Sequence, residues 1–166
     1  TMAEMCGVDL VSSDFGTDGC GVPSIAMPLH ALAFGMARLA DPAKLDNRRA
    51  DACRAIVAAM AAYPLMVAGT GRSCSALLDA GKGRFIVKGG AEGVYAAAWP
   101  EKGYGVALKI ADGAGRAAEV CVTHILRHIG AIDDETWEAL SHWQNPQTHN
   151  WAGTRVGELR IASPLV

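Results

Sequence analysis

Lys88 ends an apolar run, Arg84-Phe85-Ile86-Val87-Lys88, and is followed directly by Gly89-Gly90-Ala91-Glu92. A lysine there stands where a strand gives way to backbone that other groups can approach closely. Dehydration by Phe85, Ile86 and Val87, or a neighbouring cation, would favour its neutral amine, which can take a proton from a nucleophile. A solvated strand-end lysine is the competing reading. Cys20 lies in Asp18-Gly19-Cys20-Gly21-Val22-Pro23, where flanking glycines open the sulfur to a metal or a carbonyl. A small buried cysteine competes with that role, and no second ligand stands at a recognisable short spacing.

Three further groups have chemical types worth weighing. Cys121, His124 and His128 fall at i, i+3 and i+7 of one expected helix and so share a face. Ala117, Val120, Ile125 and Ile129 crowd that face, and packed, hydrogen-bonded side chains are the simpler expectation. Gly69-Thr70-Gly71-Arg72-Ser73 has the look of an anion cradle opening a helix, yet it lacks the Lys-Ser/Thr of a P-loop. A helix start is the default there, with a substrate carboxylate as the functional alternative. Thr1 would be a nucleophile only if its own amine were the base. Its place at the start of the chain is all that supports this, and a start set by cleavage competes with it.

The elements that must position these residues follow from periodicity and punctuation. Residues 12–24 hold three Gly and a Pro without a consistent period, which predicts an irregular loop. Apolar spacing predicts a helix over 27–40, ended by Asp41-Pro42, and another over about 46–62, with Ile56, Val57 and Met60 turned inward and Pro64 as its stop. The apolar stretch from Ala55 to Gly69 reads as a buried helix and a break, too short for the ~20 residues that span a bilayer. A short helix through Leu77-Leu78 is closed by Gly81. Extended runs at 84–88, 93–99 and 104–110, joined by short turns, predict an antiparallel meander. Helices follow over 116–129 and from the Asp133 cap through Trp143, then an extended piece over 155–161. This order is α+β, with an antiparallel sheet flanked by helices. With no internal repeat or low-complexity linker, residues 1–166 are expected to form one structural unit.

Composition narrows the function. The 166 residues carry 15 Lys+Arg against 17 Asp+Glu, and the scattered basic residues exclude a nucleic-acid surface. Apolar residues make up 51% and aromatics only 6%, so Ala, Val, Leu, Ile and Met must fill the core, which favours closely packed helices. Five cysteines at irregular gaps argue against a disulfide scaffold and for a reducing cytoplasm. Thr1-Met2-Ala3-Glu4 has no basic flank or apolar run, so no signal peptide and no membrane partner are expected.

Asp18-Gly19-Cys20-Gly21-Val22-Pro23, Met66-Val67-Ala68-Gly69-Thr70-Gly71-Arg72, Lys88-Gly89-Gly90-Ala91-Glu92-Gly93-Val94-Tyr95 and Lys109-Ile110-Ala111-Asp112-Gly113, in that order, resemble the asparaginase II family of inducible, thermolabile L-asparaginases. The resemblance spans nearly the whole chain and implies a serine β-lactamase-like fold. It implies hydrolysis of L-asparagine to L-aspartate and ammonia by a serine nucleophile worked by lysines, in a cytoplasmic homo-oligomer such as a homodimer. Lys88 then matches the activating lysine, and Cys20 one of two cysteines that hold zinc with a lysine. Asp18, Gly90 and Glu92 match positions around the substrate.

Members of that family are longer, and the matching segments correspond to their C-terminal half. The Ser-x-x-Lys motif and the remaining zinc ligands belong to the N-terminal half. Neither Ser12-Ser13-Asp14 nor Ser73-Cys74-Ser75 replaces that motif, so the chain alone is expected to be inactive. Two other readings stay open: a non-catalytic half-domain that binds a partner or a small amide, and a penicillin-recognising relative. The Gly89-Gly90-Ala91-Glu92 turn in place of Lys-Thr-Gly speaks against the second of these.

Overall fold

Ile86–Gly89 (β3), Val94–Trp99 (β4) and Tyr104–Lys109 (β5) pair antiparallel in the order β3-β4-β5, as the alternating turns and apolar runs predict. The computed structural model describes residues 1–162. Pairing puts Lys88 opposite Ala96 and Ala98 opposite Gly105, while Gly89 stands opposite Tyr95 and Ala97 opposite Val106. Because side chains alternate along a strand, Lys88, Ala96, Ala98 and Gly105 share one face and Tyr95, Ala97, Trp99 and Val106 the other. Both faces of β4 are buried, and its small Ala96-Ala97-Ala98 run lets helices come close from either side.

One face is covered by Leu29–Ala40 (α2). The approach is so close at β5 that a Cβ on Gly105 would stand 2.0 Å from the Ala33 carbonyl oxygen. Ser73–Gly81 (α5) and Gly115–His128 (α6) cover the other face. In α6 the buried Ala118, Val122 and Leu126 recur every four residues and turn one stripe toward the sheet. With Leu77, Leu78, Phe85, Val87 and Ile132 they make the core, and the Phe85 ring lies so near Gly81 that a Cβ there would be 2.8 Å away. The architecture is α+β, with helices on both faces of an antiparallel sheet.

Local chemistry sets the helix ends. Asp46 accepts from the Arg49 N–H at 3.1 Å to begin Asn47–Ala62 (α3), and Asp133 accepts from the Thr136 N–H at 2.9 Å to begin Asp134–Ala139 (α7). Each such cap contributes about 1 kcal/mol. At the N-terminus, Met2–Cys6 (α1) rests on α2, where Arg38 donates to the Glu4 and Met5 carbonyls.

Several expectations are corrected. The stretch over 12–24 is not an irregular loop but a hairpin of Phe15–Thr17 (β1) and Pro23–Ile25 (β2), closed by hydrogen bonds from Asp18 N to Val22 O and from Gly21 N to Asp18 O. Gly21, at φ 81°, supplies the left-handed residue that this turn requires. Ile56 points outward at 50% exposure, and α3 buries only Ala50 and Cys53, with Val57 and Met60 half-buried. The apolar stretch is not a buried helix. After Pro64 the chain resumes as Pro64–Ala68 (α4), whose Leu65 and Met66 are exposed.

The helix expected through Trp143 breaks at Leu140, which is fully buried, and restarts as Ser141–Gln144 (α8). The last extended piece shortens to Arg155–Glu158 (β7), paired with the unexpected Gln147–His149 (β6) in a hairpin of its own. Among the described residues no helix is long and apolar enough to cross a membrane.

Candidate active site

The chain before α5 turns sharply through Gly69 and Gly71, at φ 93° and 72°, and delivers Arg72 and Ser73 to the end of strand β3. Ser73, the first residue of α5, is 3% exposed. Its hydroxyl donates to Glu119 Oε1 at 2.9 Å and lies 3.1 Å from the Tyr95 hydroxyl. The single hydroxyl hydrogen of Tyr95 therefore has two acceptors in reach, Ser73 Oγ and, at 3.0 Å, Cys74 Sγ. Cys74 Sγ also accepts the Gly89 N–H at 3.1 Å. Burial, reinforced by the bond to Cys74, holds the Tyr95 phenol neutral by pushing its pKa far above the usual phenol value. A continuous polar chain thus ties α6, through Glu119, to α5 and to the strand end that bears Lys88.

This network floors a cavity of about 600 Å³ lined by Asp18, Arg72, Lys88, Gly90, Tyr95 and Glu119 among others. Lys88 is exposed, so the apolar residues before it do not bury its ammonium, which donates to the Gly89 carbonyl at 2.7 Å. No serine hydroxyl bonds to Lys88 among the described residues, and the nearby Ser73 donates its hydroxyl hydrogen to Glu119. Gly90 sits in the turn that follows, its N–H bonded to the Val94 carbonyl at 2.8 Å. Asp18 reaches the cavity from the β1–β2 turn, with Oδ1 accepting the Gly19 N–H at 2.6 Å.

The structure brings Asp18, Lys88 and Gly90 to one cavity but leaves Glu92 and Cys20 off its wall. Glu92 adopts a left-handed conformation, φ 55°, and its carboxylate crowds Gly113, where a Cβ would stand 2.6 Å from Oε2. Cys20 is exposed at the hairpin tip, 3.8 Å from Asp18 Oδ2. Zinc needs at least three protein ligands, and Cys20 with Asp18 offers two. Among the described residues no group of three or more His, Cys, Asp or Glu is placed to hold a metal ion. By themselves the donors among the described residues are too few to hold a zinc ion.

Cys121, His124 and His128 are likewise not gathered around a metal position. His124 bonds through Nε2 to the Gln144 carbonyl at 3.1 Å and stands edge-on to Trp137, burial pushes the Cys121 thiol up, and His128 is exposed.

A larger cavity of about 760 Å³, lined by Tyr63, Leu65, Met66, Asp79 and Trp143, shares Arg72 with the smaller one but does not include Lys88. Its wall is mostly apolar, whereas the smaller one gathers four charged side chains, and convergent polar groups are what mark a reacting site. Sequence reasoning singled out Ser73 only as the end of the 69–73 turn, and it missed Tyr95 and Glu119 as members of that site. Tyr95 stands within the segment from Lys88, which was a signal, but nothing in spacing joins positions 73, 95 and 119.

A model of the L-asparaginase II family matches residues 1–161. No curated protein matches the chain. With the match running over nearly its full length, the chain belongs to the L-asparaginase II family.

Proposed function

We propose that the chain carries the lysine half of an amidohydrolase that converts L-asparagine to L-aspartate and ammonia. One conjunction supports this: a member of the L-asparaginase II family has Lys88, Gly90 and Asp18 around a single cavity. In this reading Lys88 Nζ first gives up a proton to solvent together with its bond to the Gly89 carbonyl, and the neutral amine then takes the proton of a serine hydroxyl, whose oxygen attacks the side-chain amide carbon of asparagine. The proton passes to the amide nitrogen as the C–N bond breaks, so ammonia leaves and an acyl-serine remains. Water then attacks the ester, aspartate departs and the serine regains its proton. Gly90 and Asp18 orient the substrate.

Ser73 is a poor candidate for that serine, being buried and bonded to Glu119. The nucleophile is therefore assigned to a Ser-x-x-Lys segment of the same enzyme outside residues 1–166. No step here requires zinc. A half-domain that binds an amide without turnover is the second reading, favoured by the engagement of the Ser73 hydroxyl with Glu119.

Ammonia release from L-asparagine, measured for the enzyme that includes the Ser-x-x-Lys segment and for residues 1–166 alone, separates these readings. The first is expected to release ammonia and the second none. Release by residues 1–166 alone would overturn the source assigned to the serine, and release by neither would overturn asparagine hydrolysis.

A further inference from the structure

We infer that Glu119 receives the α-ammonium group of the substrate, which makes the cavity selective for amides of α-amino acids over simple amides. The inference rests on the reading of the chain as part of an asparagine amidohydrolase. Glu119 is half-buried on the wall that Lys88 also lines. Its two carboxylate oxygens differ: Oε1 accepts from Ser73, while Oε2 has no protein partner among the described residues. A half-buried carboxylate on a cavity wall, with one oxygen fixed and the other unbonded, can accept from a cation.

The frame behind it is rigid. Ser73 is 3% exposed and held through Tyr95 and Cys74 to the Gly89 N–H, so the distance between the carboxylate and the end of β3 is set by hydrogen bonds that are buried at the centre of the chain and part-buried at its ends. Positioning of that kind lets one anchor fix where the amide lies relative to Lys88. Asp18, the other carboxylate of the cavity, also has one oxygen on a protein N–H, Oδ1 on Gly19, but it sits exposed on a hairpin turn, whereas Glu119 is half-buried and tied to the frame. Arg72, which this cavity shares with the larger one, and Lys88 line the same wall, and neither makes an ion pair among the described residues. The wall therefore carries free cations and a free anion, complementary to an amino acid zwitterion.

Glu119→Gln tests this in the full-length enzyme. Glutamine keeps the length and the oxygen that accepts from Ser73 but removes the charge. The substrates are L-asparagine and succinamate, the same amide without its α-amino group. A charge-assisted hydrogen bond lost from one substrate alone should shrink the ratio of their kcat/KM values about 10- to 150-fold. An unchanged ratio would overturn the inference while leaving asparagine hydrolysis standing.

If the wild type hydrolyses neither amide, the functional reading fails, and binding of L-aspartate and succinate by calorimetry decides the inference separately. The wild type should then prefer L-aspartate at least about tenfold, and Glu119→Gln should erase the preference. Equal affinities, or no binding of L-aspartate, would overturn it.

Discussion

Replacing Gly105 with alanine probes the contact that holds the sheet under α2. An added Cβ would stand 2.0 Å from the Ala33 carbonyl oxygen, 2.2 Å from the Ala37 nitrogen and 2.8 Å from the Met36 carbonyl carbon. These are backbone atoms, so no side chain can swing aside. Carbon and oxygen rest at about 3.3 Å even in a close C–H···O contact. Helix α2 must therefore recede from β5 by more than about 1 Å, or the strand must bend. Overpacking of this kind costs about 1–3 kcal/mol, and a rigid neighbour puts the expected loss near the top of that range, ~3 kcal/mol. For a chain of this size that lowers Tm by about 6–12 °C.

Gly115→Ala is the control, because nothing lies within 4 Å of its Cβ position, its φ is not positive and it begins α6. It should change stability by no more than about 0.5 kcal/mol. Thermal unfolding followed by circular dichroism reads both variants. A Gly105→Ala protein that melts with the wild type would refute the close seat of α2 on β5.

The Asp133 carboxylate accepts from Arg84 at 2.7 Å and from the Thr136 N–H, and these bonds, the one to Arg84 foremost, hold its pKa well below the usual carboxylate value. Its contribution to stability is present above the unfolded value of about 4 and is lost as pH falls toward the folded value, so the wild type should lose more stability between pH 5 and pH 3 than Asp133→Asn. Equal losses in urea midpoints would contradict that role. Tyr95, whose pKa is raised, acts at the other end of the scale: its contribution is full below the unfolded value of about 10 and declines as pH rises above it. Tyr95→Phe should accordingly be less sensitive to alkali, as urea midpoints at pH 9 and pH 11 would report. Residues 1–166 alone, dialysed against buffer after loading with zinc, should hold well under one equivalent by elemental analysis, since Cys20 and Asp18 are too few donors. A retained equivalent would contradict that conclusion.

The three-stranded sheet was legible because Gly89-Gly90 and Pro100 through Gly103 bound its apolar runs, and its strands fall within two residues of their expected ends. Capping made α3 legible at Asp46 and α7 at Asp133. Periodicity names the apolar face of a helix but not whether anything covers it, which is why Ile56, Leu65 and Met66 are more exposed than their types suggest. The hairpin β1–β2 and the strand β6 that pairs with β7 escaped notice because three-residue strands are too brief to show alternation. Lys88 and Asp18 stood out through segments that resemble a family. The polar chain through Ser73, Tyr95 and Glu119 did not, since its members come from three elements that only the fold brings together.

Lys88→Ala in the full-length enzyme tests the central claim most directly, with ammonia release from L-asparagine and circular dichroism measured on the same sample. Removing the proton acceptor of a general-base step should lower kcat about 10²- to 10⁴-fold. The exposed side chain leaves the core of the fold untouched, so the spectrum should match that of the wild type. Turnover within about threefold of the wild type by a folded variant would remove Lys88 from the chemistry and contradict the account.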